Sequence, residues 1–438
     1  MEYFHLSIFF IIKMFGLGIE LETGIYYNYN EKIHSIDVEK LIKINNSSLL
    51  EEEKKLLKSL PLLEEPSNKC LVKIKNKQIE LVTKFPLDKK IEEAIFELEI
   101  DLKRFLVIFQ KLFNYRHKRE DILLFYPKLS CMKYQDIDNK EVFSNTGSIH
   151  INISFPHYGK SQLNKYKRFI VLFQSLEPIL TALTSSGDYR YNTDGYPKSG
   201  YRSVIGWGSP GTSDKNLLKY GLGKSATFKP QYIEKLNKYK LTTLDKKECQ
   251  SKRMKIERYY YNKFNIKTPA VNYSSDIATI KKEYYLNFIK YFSENMYEKF
   301  SIRTYKEGFG LEIRFFDRME TKNIREIVYF LVLLGDFAFN CTHKLIDAKI
   351  NKDWNEEILN VFENGHKSKL SDKYIELLEK NFDMKIKNNN SETIIKEIIN
   401  MLYNNYGKGD FIKLMSNEKN IRKPKIYNMN KFFLNAYK

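Results

Sequence analysis

The stretch GLGIELE, residues 16–22, decides the fold, because it alternates apolar and polar residues and three later stretches repeat that alternation. These are QIELVT at 78–83, SIHINIS at 148–154 and LEIRFFD at 311–317. Side chains two positions apart share one face of a β-strand. Each stretch therefore predicts a strand with one apolar face and one face of acids, His, Asn or Arg. If the four strands belong to one sheet, these polar residues gather on a single surface.

The polar faces carry the residue types of a magnesium–nucleotide site. Mg²⁺ is normally held by a few hard carboxylate oxygens together with substrate phosphates and water. The guanidinium of Arg314 is suited to a phosphate. We take as candidate metal ligands four acids and one imidazole: Glu20, Glu22, Glu80, His150 and Glu312.

The alternative reading of any one strand is ordinary amphipathicity, with the polar face solvated. Such faces in a Lys-rich protein would favour Lys and Thr. These four favour Glu, His, Asn and Arg, so their joint pattern favours a site.

Composition limits the partners. The chain has 438 residues, 42% of them hydrophobic, and a formal net charge of +19. A strongly basic chain can bind nucleic acid or an acidic partner. No dense Arg/Lys run with interleaved aromatics marks a nucleic-acid surface, so we do not expect nucleic acid as a partner. We interpret the charge as a Lys-rich composition that suits ATP and carboxylate substrates.

The four Cys include no C-x-x-C pair, which favours free thiols and a cytoplasmic location.

Three regions are expected along the chain. Residues 1–13 form a short apolar N-terminal extension, too short to span a bilayer, and Met14 offers an alternative start. Residues 14–346 form the main domain with an insertion at about 215–300, and residues 347–438 form a helical C-terminal region. Apolar spacing predicts a long helix from Ile91 past Phe109, a helix over 165–186 that Pro178 kinks or restarts, and a helix over 323–345.

The order of the four motifs resembles that of the carboxylate–amine ligases of the glutamine synthetase and glutamate–cysteine ligase superfamily. More specifically, it resembles their divergent amidoligase branch. The order is a Gly-led E-x-E strand, a Q-x-E strand, a G-S-x-H-x-N-x-S strand and an E-x-R strand. QIELVTKFP, and LEPILTALTSSG followed by S-G-Y-R-S, are most similar to glutamate–cysteine ligase-type sequences. The resemblance covers roughly residues 15–339.

The resemblance implies an α+β fold: a curved antiparallel β-sheet with the active site on its concave face, helices on its convex face, and a C-terminal helical appendage. It implies an ATP- and Mg²⁺-dependent ligase, with Mn²⁺ as a substitute metal, that joins small-molecule or peptide carboxylates to amines through an acyl phosphate. Catalysis would rest on positioning and electrostatics. The implied metal ligands are those named above, with His150 also close to ATP. Asn152 and Ser154 would bind the nucleotide, and Arg314 the phosphate.

Arg202 is a further catalytic candidate, since it lies in a Gly-rich loop, residues 190–214, where an Arg would suit the substrate carboxylate or the transferred phosphate. The alternative is a surface loop whose glycines serve turn geometry. Val72, Asn152 and Gly310 depart from the family pattern, in which an acid, a second His and an Arg are expected. Two other functions stay open: a guanidino-type phosphotransferase, and a non-catalytic binding protein on a degenerate ligase fold.

Overall fold

The structure of the protein is a computed structural model. The described residues are 15–29, 32–35, 51, 71–75, 78–83, 90–117, 123–127, 129–133, 141–145, 148–156, 163–185, 199, 300–305, 308–346, 352–418 and 421–429. The expectations for residues 1–13, Met14 and Arg202, and for the insertion before residue 300, lie outside these residues.

Strands and helices are mixed along the chain. The strands are β1 (Gly16–Tyr29), β2 (Lys32–Ser35), β3 (Leu71–Lys75), β4 (Gln78–Val82), β5 (Leu123–Pro127), β6 (Leu129–Lys133), β7 (Glu141–Asn145), β8 (Ser148–Ser154), β9 (Phe300–Tyr305) and β10 (Gly308–Asp317). The helices are α1 (Ile91–His117), α2 (Leu163–Thr184), α3 (Thr321–Asn340), α4 (Lys352–Asn364), α5 (Asp372–Phe382), α6 (Ser391–Tyr406) and α7 (Asp410–Met415).

The four strands predicted from alternation are neighbours in one sheet. Within the described residues, eight antiparallel strands form this sheet in the order β3-β4-β1-β8-β10-β9, with β2 and β5 also paired to β1. The predicted mixture of helix and antiparallel sheet is thereby confirmed. The curvature of the sheet and the concave position of an active site stay predictions.

One face of the sheet packs into the hydrophobic core. The alternating apolar residues of β1, β8 and β10 are fully or almost fully buried and belong to one cluster with the helices: Leu17, Ile19, Leu21, Ile149, Ile151, Ile153, Leu311 and Ile313. Helix α1 contacts β1 and β4. Its apolar stripe is buried at Ile91, Ile95, Leu98, Phe105 and Phe109, and the predicted helix is confirmed.

Helix α2 runs through Pro178 without a break from Leu163 to Thr184. Proline lacks an N–H, so the carbonyl of Gln174, four residues earlier, loses its usual helical donor. The indole Nε1 of Trp354 donates to that carbonyl oxygen at 2.8 Å. The adjacent Ser175 carbonyl accepts from Tyr374 Oη at 2.6 Å. The C-terminal helices α4 and α5 therefore attach to α2 at its proline.

Helix α3 ends at Asn340, five residues before the predicted end. The Asn340 side chain turns back and donates to the carbonyl and carboxylate oxygens of Asp336 at 2.9 and 2.7 Å. Cys341 follows as the C-cap with ψ at 127°, outside the helical range, and it is a buried free thiol. Propensity alone did not reveal this stop.

The C-terminal helices contribute to the same core as the sheet. Helices α4, α5 and α6 contact α2, and α6 and α7 contact α3. Trp354 and Tyr374 are fully buried in the common cluster. The predicted amphipathic helices are thus present, whereas the boundary at 346/347 and the description as an appendage stay predictions. No helix in the described part of the chain is long and apolar enough to cross a membrane.

Candidate functional site

The polar positions of the central strands fall into transverse rows, because antiparallel pairing sets residues of neighbouring strands directly opposite each other. In the first row, Glu22 of β1 pairs with Glu80 of β4, and Asp317 of β10 pairs with Ser148 of β8. The two halves join at Ser148, whose Oγ lies 2.6 Å from Glu22 Oε2. Three acids and a serine thus follow one line across four strands.

The neighbouring rows bring together most of the remaining candidates. Glu20 pairs with His150. One step further along β8, Asn152 pairs with Gly18 on one side and with Glu312 on the other. The register therefore places all the predicted metal candidates on four adjacent strands.

Four side chains form a continuous hydrogen-bonded chain, Glu22–Ser148–His150–Glu20. Ser148 Oγ donates to Glu22 Oε2 at 2.6 Å and lies 2.9 Å from His150 Nε2. A hydroxyl has one hydrogen, so donation to Glu22 leaves Oγ as the acceptor for Nε2–H. His150 Nδ1 lies 3.0 Å from Glu20 Oε2, and Asn152 Nδ2 donates to Glu20 Oε1 at 3.3 Å. Both oxygens of Glu20 are therefore held by β8.

Most of these polar side chains are buried, and Glu22 is partly buried. Glu20 is 8% exposed, His150 6%, Asn152 5% and Ser148 2%. The alternative of an ordinary solvated face does not fit these buried positions. Burying polar and charged groups lowers the stability of a protein unless the groups are paired. A buried cluster of this kind therefore favours a functional role over that of an ordinary protein surface.

A β-bulge in β10 adds a carboxylate to the polar side of the sheet. Ile313 pairs with Ile151 and Phe316 pairs with Ile149, so β10 has one more residue than β8 between these pairs. Strict alternation would place Asp317 on the apolar side with Ile313. The extra residue moves it to the side of its partner Ser148, where it is fully buried.

The sequence contains a signal for this bulge that alternation analysis missed. Phe315 and Phe316 are adjacent, yet both are fully buried. Their ring centroids lie 5.4 and 6.0 Å from that of Phe173 on α2. Two successive apolar residues that contact one helix are incompatible with a regular strand, because successive side chains point to opposite faces. The pair FF before Asp317 therefore marks the irregularity.

The other predicted site residues are placed by strand position. Glu80 of β4 lies opposite Glu22. Glu312 of β10 lies opposite Asn152, and Arg314 lies within the bulge. Ser154 is 4% exposed and pairs with Gly16. Arg202 lies outside the described residues.

The strand register shows which residues lie opposite Val72 and Gly310, two positions that differ from the resembled motifs. Val72 pairs with Leu81, whose side chain is in the hydrophobic core. The residue of β3 that stands opposite Glu80 is Lys73. Gly310 has Arg303 of β9 directly opposite. Sequence reasoning missed both Lys73 and Arg303, since their alignment depends on register.

The described side chains fit a divalent cation in part. Carboxylate oxygens are suitable ligands for Mg²⁺, and an ionised carboxylate accepts more than one contact per oxygen. Both ring nitrogens of His150 are already engaged, by Glu20 and Ser148, so the imidazole fits an orienting role better than direct coordination. Asn152 Oδ1 is buried and has no hydrogen-bond partner among the described residues. Among the described side chains, no three His, Cys, Asp or Glu are arranged to hold one ion.

The fold and the site define a mixed helix–sheet protein with a buried acid–histidine cluster on the sheet face opposite its core. No protein-family model matches the chain, and no curated protein matches it. Among solved structures, the crystal structure of a bifunctional glutathione synthetase from Pasteurella multocida is similar with 13% identity and a TM-score of 0.38. The similarity covers 92% of this chain and 52% of that one, so the chain spans about half the length of that protein. Similarity at this level defines neither the fold nor the activity of this protein.

Proposed function

We propose that the protein is an ATP- and Mg²⁺-dependent carboxylate–amine ligase, glutamate–cysteine ligase-like or a peptide amidoligase. The observation that carries the proposal is the hydrogen-bonded chain Glu22–Ser148–His150–Glu20 on the polar side of the sheet, in which Glu22 is partly buried and the other three side chains are buried. The register supports it, because Glu80 stands opposite Glu22 and Glu312 stands opposite Asn152. Like charges directly opposite each other on adjacent strands are destabilising, and a bound cation would offset that cost.

The proposed reaction has two steps. A carboxylate oxygen of one substrate attacks the γ-phosphorus of ATP, and the bond to the bridging oxygen breaks to release ADP. The amine then attacks the acyl carbon, phosphate leaves, and the amine nitrogen loses a proton. Bound Mg²⁺ would supply neutralisation of phosphate charge during the first step.

The chain's own residues have positioning and electrostatic roles in this proposal. Glu20 and Glu22, with Glu80 and Glu312, would hold the cation. His150 would orient Glu20, as histidine and carboxylate partners orient each other around metal sites. Arg314 and Arg202 would bind phosphate or the substrate carboxylate, and Asn152 and Ser154 would contact the nucleotide.

The test uses purified full-length protein with ATP, Mg²⁺ and a pool of amino acids and peptides, and measures ADP and inorganic phosphate separately. We expect both products to appear together and only when substrate is present. Glu20→Gln should abolish their release, because the amide is neutral and offers a single acceptor oxygen. Glu376→Gln is the matched control, since Glu376 is an exposed residue of α5, and it should retain full activity.

Other results contradict the proposal. An unchanged rate in Glu20→Gln would exclude the metal role of the cluster. ADP without free phosphate would indicate a phosphotransferase acting on a guanidino group. No turnover with any substrate, combined with salt-sensitive binding to a polyanion, would indicate a binding protein.

A further inference from the structure

Ser148 connects the two carboxylates of β1, although the sequence pattern assigns it no role. We propose that Ser148 is a positioning residue, which holds Glu22 directly and Glu20 through His150 in the arrangement that binds a divalent cation. This inference rests on the proposed function, because the cation is part of it.

The carboxylates of β1 need external support. Glu20 and Glu22 lie two positions apart on one strand, so their side chains share a face. A glutamate side chain is long, and holding it in one rotamer costs up to about 2 kcal/mol of conformational entropy. Ser148 is short and 2% exposed, and its strand is paired directly with β1. Its hydroxyl is therefore a rigid point of attachment.

The geometry distinguishes Ser148 from its neighbours on β8. His150 and Asn152 each contact Glu20, at 3.0 and 3.3 Å. Ser148 contacts Glu22 at 2.6 Å and His150 at 2.9 Å. It thus joins the half of the cluster that contains Glu22 to the half that contains Glu20. Removing its oxygen removes this bridge, and the His150 ring keeps its Nδ1 contact with Glu20 but loses its contact at Nε2.

Three variants separate positioning from folding. Ser148→Ala removes the bridging oxygen, whereas Ser148→Thr keeps a hydroxyl and suits a strand. Ser391→Ala is the control, because Ser391 is fully buried at the start of α6 and its Oγ has no hydrogen-bond partner in the part of the chain that the structure describes. Loss of partners around metal ligands typically weakens metal affinity by about 10–100-fold.

The first measurement is Mn²⁺ binding to the full-length protein without ATP, followed by electron paramagnetic resonance of the free ion. We expect Ser148→Ala to weaken binding about 10–100-fold, and Ser148→Thr and Ser391→Ala to bind as the unchanged protein does. Unchanged affinity in Ser148→Ala overturns the inference. So does a Thr variant that binds as poorly as the Ala variant, since the hydroxyl would then not be the cause.

The second measurement tests the bridge without any metal. In protein labelled with ¹⁵N in its histidine rings, the His150 signals are identified by their loss in His150→Gln. Ser148→Ala should shift the Nε2 signal of His150, and Ser391→Ala should not. If the unchanged protein binds no Mn²⁺, the proposed function fails, and a shifted Nε2 signal still supports the Ser148–His150 bridge. An unshifted signal overturns the bridge whatever the metal result.

Discussion

Replacing Trp354 with Phe should destabilise the protein mainly through one carbonyl oxygen. Pro178 lies inside α2 and cannot donate to the Gln174 carbonyl four residues earlier. Trp354 Nε1 provides a donor to that oxygen at 2.8 Å. Trp354 is fully buried and Gln174 is 2% exposed, so water is a poor substitute. The Phe side chain keeps an aromatic ring in the core and loses the N–H.

The magnitude has a polar part and a packing part. Leaving a buried carbonyl without this donor costs about 1–3 kcal/mol. The smaller ring leaves unfilled volume, and unfilled core volume adds a further cost. We expect Trp354→Phe to lower the free energy of unfolding by about 2–4 kcal/mol, measured by urea unfolding. Far-ultraviolet circular dichroism is the appropriate probe, because the substitution itself changes tryptophan fluorescence.

A double-mutant cycle with Pro178→Ala isolates the polar part. Alanine at position 178 restores an N–H four residues after Gln174, so the carbonyl regains its helical donor. In that background, Trp354→Phe should keep its packing cost and lose most of its polar cost, a reduction of about 1–3 kcal/mol. Equal costs of Trp354→Phe with and without Pro178 would refute the reasoning.

Two further predictions concern the core and the pH dependence of stability. In Gly335→Ala, the added Cβ would overlap the ring of Phe155, which is fully buried directly after β8. We expect a loss of about 1–3 kcal/mol in urea unfolding, and an unchanged midpoint would contradict that close approach. Burial raises the pKa of the Glu92 carboxyl, but hydrogen bonds from the Asn417 backbone N–H and two hydroxyl groups together lower it below its ordinary value. A lowered folded-state pKa stabilises the protein above the unfolded value of about 4.3, and this contribution is lost as the pH falls through the folded-state pKa. Urea unfolding across the acid range should therefore show a shallower pH dependence for Glu92→Gln, and parallel curves would count against the prediction.

Much of the regular structure could be predicted from periodicity. The alternation at 16–22, 78–83, 148–154 and 311–317 identified four strands, and the structure sets them side by side in the sheet. The apolar stripe from Ile91 identified α1. Helix ends were less predictable, since α3 stops where Asn340 bonds back to Asp336. The attachment of α4 at Pro178 was not predictable, because it joins residues 180 positions apart.

The residue types of the candidate site could be predicted from the sequence, but the predicted set of residues was incomplete. Glu20, Glu22 and His150 were identified by alternation, and the structure brings them into one hydrogen-bonded chain. Ser148 shares the face of His150 and was available from the same pattern. A role was predicted for Ser154 on the same face but not for Ser148, whose contact with Glu22 depends on the pairing of β8 with β1. Asp317 was hidden by the bulge, since one extra residue reverses the face of everything that follows it.

The register of β3 shows why spacing along one strand is an incomplete guide to a candidate site that spans several strands. Spacing along the chain places the acid expected from the resemblance at Val72. That residue pairs with the core residue Leu81 and so lies outside the row of Glu80 and Glu22. The residue in the row is Lys73, opposite Glu80. The ammonium group of a lysine opposite Glu80 would balance part of the negative charge of this row, as a bound metal ion would. For the proposed cation site, we therefore expect fewer bound metal ions than an acid at this position would allow, and the stoichiometry of Mn²⁺ binding is the measurement that would show the difference.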